Sequence, residues 1–260
     1  GVAVLSQNGS LTLLKENLSI AGEPLGYALD ASSPAFDGVD FLLASYAKQP
    51  PAGGKTYLGA LEVQRLAPTG TLKDAAPLLG DVQETGTLDG AVAIACKAPG
   101  DCLAAYSMRK YGTGGESDQD IWVAPVKNGQ PGASIQVTTA AEDQIAPSVV
   151  WEGTRWVVAW VDLRFATASI PFYNNSQLYG ARVSSAGAVL DPIGIPLASY
   201  AELADTTNAS QATALPEAIA LARSGSTTLL AWRGTSSQKI LGGRLAANLN
   251  ALDATPVVMA

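Results

Sequence analysis

Trp160, Asp162 and Arg164 are spaced two residues apart. Alternate residues of a β-strand share a face, so a strand here presents an indole N–H, a carboxylate and a guanidinium side by side. Such a trio either grips a polar ligand through Asp162 and Arg164 or closes on itself as an ion pair at the strand end. The second is the expectation, because only one of four comparable segments keeps both the Asp and the Arg. Three other carboxylates, Asp37, Asp89 and Glu217, lie on or beside strands expected to be innermost in their sheets. Glycosidic hydrolysis needs two carboxyl groups, either close together or farther apart with room for a water. Nothing in the spacing of these three establishes an acid–base pair.

Other chemistry is narrowed by what the chain lacks. It has no histidine, which removes Ser-His-Asp and Cys-His nucleophilic sites and nearly all zinc and copper sites. Acidic stretches at Glu116–Asp120 and Glu142-Asp143 offer oxygen ligands for calcium. Neither has the glycine and distal glutamate of an EF-hand loop, so solvated turn carboxylates are expected and no cofactor is assigned. Phe165, Ile170, Pro171, Phe172, Tyr173, Asn174 and Asn175 crowd into one long connection, 165–176. Aromatic faces stack on sugar rings and amides hydrogen-bond hydroxyls, so Phe165, Phe172, Tyr173, Asn174 and Asn175 form the expected contact site. Packing of the same loop over the end of its sheet is the alternative.

The two cysteines bracket a turn in Ala95-Cys96-Lys97-Ala98-Pro99-Gly100-Asp101-Cys102. Pro-Gly-Asp is turn chemistry, with apolar strand residues on both sides. The thiols should therefore face each other across a hairpin and form a disulfide, as suits an oxidising compartment.

Elements able to position these groups emerge from internal repetition. Phe41–Tyr46, Asp101–Tyr106, Arg155–Trp160 and Thr227–Trp232 align without gaps, each ending in an aromatic. Three are preceded by a proline-led strand and a turn, beginning at Pro34, Pro147 and Pro216; Gly90–Cys96 takes that place in the second repeat. A polar loop and a third strand follow each aromatic, at Tyr57–Val63, Asp120–Val126, Gln177–Val183 and Lys239–Leu245, and then a weaker fourth, as at Ile193–Ala198 and Pro256–Met259. Strands A to D in this order describe a blade of an all-β fold, a β-propeller of four-stranded antiparallel blades. Blades are expected at about 31–80, 88–139, 144–199 and 212–260, with a partial one at 1–30 (strands B, C and D). The expectation is one domain of five blades, one of them incomplete, whose inner edge at Val2–Leu5 lacks a strand A and offers an assembly seam.

The third repeat reads Pro147-x-Val149, Gly153, Trp160-Val-Asp162-Leu-Arg164, Leu178-Tyr-Gly-Ala-Arg182-Val183, Gly187 and Leu190-Asp191-Pro192. It resembles repeats of large secreted or surface-anchored bacterial β-propeller proteins, mostly without an assigned activity. The fourth repeat matches in part through Trp232, Gly242, Arg244 and Leu252-Asp253. The resemblance implies a propeller fold, export, and a binding or structural role.

Composition agrees with a folded, water-exposed domain. Hydrophobic residues are 47% and charged residues 15% of 260, enough to build a core and too few charges for disorder. Apolar runs are too short for a membrane-spanning helix. A net charge of −7 without basic clusters argues against nucleic acid as a partner. Together these features favour a non-enzymatic extracellular or cell-surface module binding carbohydrate or a protein surface. A propeller glycosidase with paired carboxylates and a subunit of a surface filament or layer are the alternatives. A start at Gly1 fits removal of a signal peptide. The disulfide gives a first prediction: unreduced, denatured protein shows no reactive thiol. Because the closed loop is short, replacing both Cys96 and Cys102 by serine lowers the unfolding free energy in urea by about 2 kcal/mol.

Overall fold

The computed structural model describes residues 2–5, 11–14, 34–49, 57–81, 83–85, 92–112, 115–165, 176–198, 219–233 and 239–259. Every regular element among them is a strand. The chain forms two compact units, residues 1–117 with 123–135, and residues 118–122 with 136–260.

In the first unit, β1 (Val2–Leu5) and β2 (Leu11–Leu14) pair as an isolated antiparallel hairpin. Among the described residues no strand pairs with the other edge of β1. The part read as its strand D, Gly26–Leu29, lies outside the described residues. Strands A to D of the next repeat are β3 (Ala35–Phe36), β4 (Phe41–Gln49), β5 (Tyr57–Leu66) and β6 (Leu78–Leu79). After them comes β7 (Gln83–Thr85), then β8 (Val92–Ala98), β9 (Asp101–Gly112) and β10 (Gly115–Lys127). Both β11 (Gln130–Pro131) and β12 (Ile135–Gln136) pair with β10. These two repeats do not form separate sheets: β7 pairs with Tyr57–Gly59 of β5 and with Lys110 of β9, giving one ten-stranded sheet. The connection after Tyr106, expected as a polar loop, is largely a prolongation of β9 and β10.

The second unit holds two four-stranded antiparallel sheets in the expected A-B-C-D order. One is β13 (Gln144–Trp151), β14 (Arg155–Asp162), β15 (Gln177–Ser184) and β16 (Ile195–Ala198). The other is β17 (Ile219–Ser224), β18 (Thr227–Arg233), β19 (Ile240–Leu245) and β20 (Val257–Val258). Val157, Ala159, Val161, Leu163 and Leu178 of the first sheet bury against Leu230, Trp232 and Leu245 of the second.

A two-residue turn joins each A and B strand, and a glycine in it takes a positive φ: Gly38 at 103°, Gly100 at 66°, Gly153 at 103° and Gly225 at 60°. The residues closing these turns are Asp40, Asp101, Arg155 and Thr227. Five positions beyond them stand Ser45, Tyr106, Trp160 and Trp232. Three of the repeat aromatics are thus equivalent and buried, at 1%, 0% and 4% exposure. Tyr46, expected at the same place, is one residue farther on and on the opposite face. The gapless alignment set Phe41 against Arg155, whereas the turn sets it against Trp156. Ser45 occupies the vacated place and donates its hydroxyl to Glu62 Oε1 at 2.6 Å. On its own face Tyr46 packs against Tyr106, ring centres 5.6 Å apart.

A second device recurs at the C–D connection. Arg65–Asp74, Arg182–Asp191 and Arg244–Asp253 are bidentate pairs nine residues apart, and each arginine's backbone N–H also donates to its aspartate. Inside each nine-residue span lies a bridge: Leu66 with Leu72, Val183 with Val189, and Leu245 with Ala251. Five residues after the arginine the backbone turns left-handed, at Gly70 (92°), Gly187 (94°) and Leu249 (68°). A leucine is strained there, but Leu249 is 1% exposed and belongs to the core, so burial offsets the strain. The second repeat lacks the pair and closes instead through Asn128 (52°) and Gly129 (85°), the residue types a tight hairpin turn demands.

In all three pairs the arginine holds the aspartate carboxyl below its usual range, outweighing burial where burial opposes it. A depressed folded pKa contributes stability that is complete above the unfolded value of about 3.9 and lost as pH falls through the folded value. Arg182→Ala therefore costs about 1–3 kcal/mol at neutral pH. The gap from the parent protein narrows in urea titrations below about pH 4. The same change at Arg244, whose side chain is 60% exposed, costs less.

Candidate functional site

The Trp160–Asp162–Arg164 trio sits at the end of β14 and the turn beyond it. Asp162 is completely buried. Its Oδ1 accepts the Arg164 backbone N–H at 3.0 Å and Nε at 2.8 Å. Its Oδ2 accepts the Trp160 indole N–H at 2.8 Å and an Arg164 terminal amine at 2.7 Å. Four donors occupy the lone-pair sites a carboxylate offers. The other Arg164 terminal amine donates to the Ile193 carbonyl at 3.0 Å, and the guanidinium lies 3.9 Å from the Tyr179 ring centre. Burial works against the Arg164 charge, but the Asp162 bonds outweigh it and raise its pKa. Gly194 takes φ 71°, and a Cβ there would come within 2.7 Å of the Trp160 ring. The trio is a closed latch tying the end of strand B to the start of strand D.

Asp37 is spent in a similar way. Its Oδ1 accepts the backbone N–H groups of Val39 and Asp40, and its Oδ2 that of Gly100, at 2.7–2.8 Å. Burial raises its pKa, but these three bonds outweigh burial and leave the carboxyl below its ordinary value. A carboxylate so held does not carry a proton for general-acid work near neutral pH, which corrects its place among the candidate carboxylates. Asp89 and Glu217 lie outside the described residues.

The acidic stretches also serve the backbone. Asp118 accepts Glu142 N–H at 3.0 Å, Asp143 accepts Gln119 N–H at 2.8 Å, and Asp120 accepts the Gln136 amide at 2.8 Å. Among the described residues no group of three or more Asp, Glu, Cys or His is placed to hold a metal ion. Phe165 is 44% exposed; Phe172, Tyr173, Asn174 and Asn175 lie outside the described residues. Cys96 and Cys102 stand directly opposite across β8 and β9 and are disulfide-bonded.

One polar group escaped the sequence reading. Trp232 matches Trp160, yet its buried indole Nε1 has no partner among the described residues. The signal was present: Gly234 stands where the third repeat has Asp162.

No family model matches the chain, and no curated protein matches it in sequence. Solved structures do match its fold. Xylan β-1,4-xylosidase from Bacillus halodurans aligns with 83% of the chain at 14% identity and TM-score 0.51. A thermostable family-43 glycoside hydrolase aligns with 86% at 12% identity and TM-score 0.52. The chain spans 39% of the first protein's length and 72% of the second's. With its antiparallel four-strand repeats, the fold is that of a β-propeller.

The latch predicts a stability effect and not a binding effect. Asp162→Ala strands a half-buried guanidinium and a buried indole N–H, so urea denaturation shows a loss of about 3 kcal/mol, the lower end of the range for breaking a buried pair. A loss below about 0.5 kcal/mol, the range of ordinary surface changes, would instead mark the pair as ligand-facing.

Proposed function

We propose that this chain is a carbohydrate-directed propeller domain whose reaction is hydrolysis of a glycosidic bond. One observation carries the reading: the fold shared with two glycoside hydrolases over more than four fifths of the chain. Fold alone assigns no chemistry, so residues enter by elimination. Asp162 is saturated by four fixed donors, and Asp37, held ionised by three, is removed as the general acid. Of the carboxylates named beside inner strands, Asp89 and Glu217 remain. Asp89 stands three residues before the start of β8 (92 − 89) and Glu217 two before the start of β17 (219 − 217). In this reading one carboxyl protonates the leaving oxygen while the other acts as base or nucleophile. The xylosidase neighbour makes pentose-containing glycans the first substrates to test.

A second reading is a non-enzymatic, exported surface module that binds glycan or protein, or assembles with its own kind. It is favoured by the backbone ties of Asp37 and the saturation of Asp162, by the resemblance of the third repeat to surface-protein repeats, and by a disulfide suited to an oxidising compartment. Reducing-sugar release from xylan and arabinan, run beside a glycan array, separates the two. Hydrolysis that falls by about 10²–10⁴ in Asp89→Asn and in Glu217→Gln, while Asp37→Asn retains its kcat, supports the enzyme. Array binding without turnover supports the module.

A further inference from the structure

The third and fourth sheets repeat strand for strand, but their outer edges are finished differently. Trp160 pairs with Tyr179, which pairs with Pro196 of β16; Trp232 pairs with Leu241, which pairs with Val258 of β20. Pro196 and Val258 are therefore counterparts. So are Leu197 and Met259, whose side chains lie over Gly180 and Gly242. In β20 the Met259 N–H donates inward to the Ile240 carbonyl at 2.7 Å. Backbone groups of successive residues in an antiparallel strand point to opposite edges, so the N–H and C=O of Val258 point outward. β20 ends its sheet, and among the described residues no strand pairs with that edge. The third sheet has no donor at the same place, because proline carries no N–H.

Apolar side chains line the open edge. Ile240, Leu252, Val257, Val258 and Met259 are 45–58% exposed. They follow the outer side of β19: the Leu252 N–H donates to the Arg244 carbonyl, Val257 pairs with Gly242, Val258 with Leu241, and Met259 bonds to Ile240. Leu197, the counterpart of Met259, is only 9% exposed, because it packs in the core shared with the fourth sheet. Edges are commonly blunted by charged residues, yet residues 254–259, Ala-Thr-Pro-Val-Val-Met, carry no charge.

We propose that β20 is a dimerisation edge, pairing antiparallel with β20 of a second copy about a two-fold axis at Val258. A hydrogen-bonded antiparallel pair exchanges both N–H···O bonds between two residues. One outward N–H and one outward C=O on each Val258 meet that need. Pro256, the next outward position, has no N–H, so the ladder stops there and the contact closes at two copies. No charge within the stretch meets its like across the axis. The apolar strip supplies the area: five residues, each about half exposed, offer on the order of 500 Å² per copy and 1,000 Å² in a pair, where specific interfaces begin. A self-pairing edge needs no second surface, which favours another copy of the chain over an unrelated strand. The dimer is independent of whether the domain hydrolyses glycans.

The test is the state of association and where it resides. Sedimentation velocity from about 1 μM to about 1 mM should show monomer passing to dimer, with no larger species. Val258→Pro gives the fourth sheet the residue type the third already holds at Pro196, so the inward bonds of β20 persist. It should weaken the dimer by at least about tenfold while the urea midpoint stays near the parent's. If that variant does not fold, Val258→Lys decides: it keeps the N–H, sets two like charges across the axis, and should weaken the dimer as much. Hydrogen exchange locates the contact, because the Val258 amide should gain protection as concentration rises. A monomer at every concentration, larger assemblies, a dimer that either folded variant leaves intact, or a Val258 amide that exchanges freely in the dimer overturns the proposal.

Discussion

Side chains alternate along a strand, so the position of the A–B turn decides which face every later residue of strand B presents. Counting from the turn, Tyr106, Trp160 and Trp232 fall on one face, and in the second unit that face of Trp232 looks onto the Val157–Val161 face of the preceding sheet. The first repeat has the same turn but carries its aromatic one step later, so Tyr46 points the other way and meets Tyr106 ring to ring. A one-residue slip has exchanged an aromatic–aliphatic interface for an aromatic–aromatic one. Ser45, left at the standard position, is tolerated because Glu62 accepts its hydroxyl.

Polar groups follow an equally strict rule, which bears on function. With 23 acidic and 16 basic side chains in 260 residues, the chain spends many of its charges on its own turns. Asp37 holds a neighbouring hairpin, Asp162 a latch, and Asp74, Asp191 and Asp253 the C–D connections. A carboxylate meeting fixed donors stays ionised, which suits a tie between turns and removes it from general-acid work. The contrast between Trp160 and Trp232 makes the same point from the other side: where Gly234 stands in place of the aspartate, the buried indole N–H has no partner among the described residues.

Strand order and the disulfide were legible because each rests on local signals: apolar runs bounded by turns, and two cysteines around Pro99-Gly100. The slip at Tyr46 was legible too, had the count started from Gly38 rather than from the hydrophobic hexapeptide. Arg182–Asp191 and Arg244–Asp253 are visible only as parts of a resemblance, and Arg65–Asp74 falls outside it because Val63-Gln64 stands where Gly180-Ala181 and Gly242-Gly243 precede the other two arginines. The union of two repeats through β7 could not be read at all. It depends on pairing between Gln83–Thr85 and strands on either side, and three polar residues carry no periodic signal. The tie between Asp37 and Gly100, 63 residues away, is likewise a tertiary fact.

The Arg–Asp pairs span nine residues each, and that locality has a kinetic meaning. The entropy lost in closing a loop grows with its length, so a nine-residue clasp can form while the remainder of the chain is still searching. Contacts such as Asp37 with Gly100 must wait for two hairpins to exist. Three of the four repeats with an observed strand A therefore carry the means to fix strand C, its turn and the approach to strand D early and independently. The second repeat, with its Asn128-Gly129 turn and cross-strand disulfide, reaches the same end by other local ties. Such a chain can assemble sheet by sheet as it emerges, with few long stretches of unpaired edge exposed to other chains.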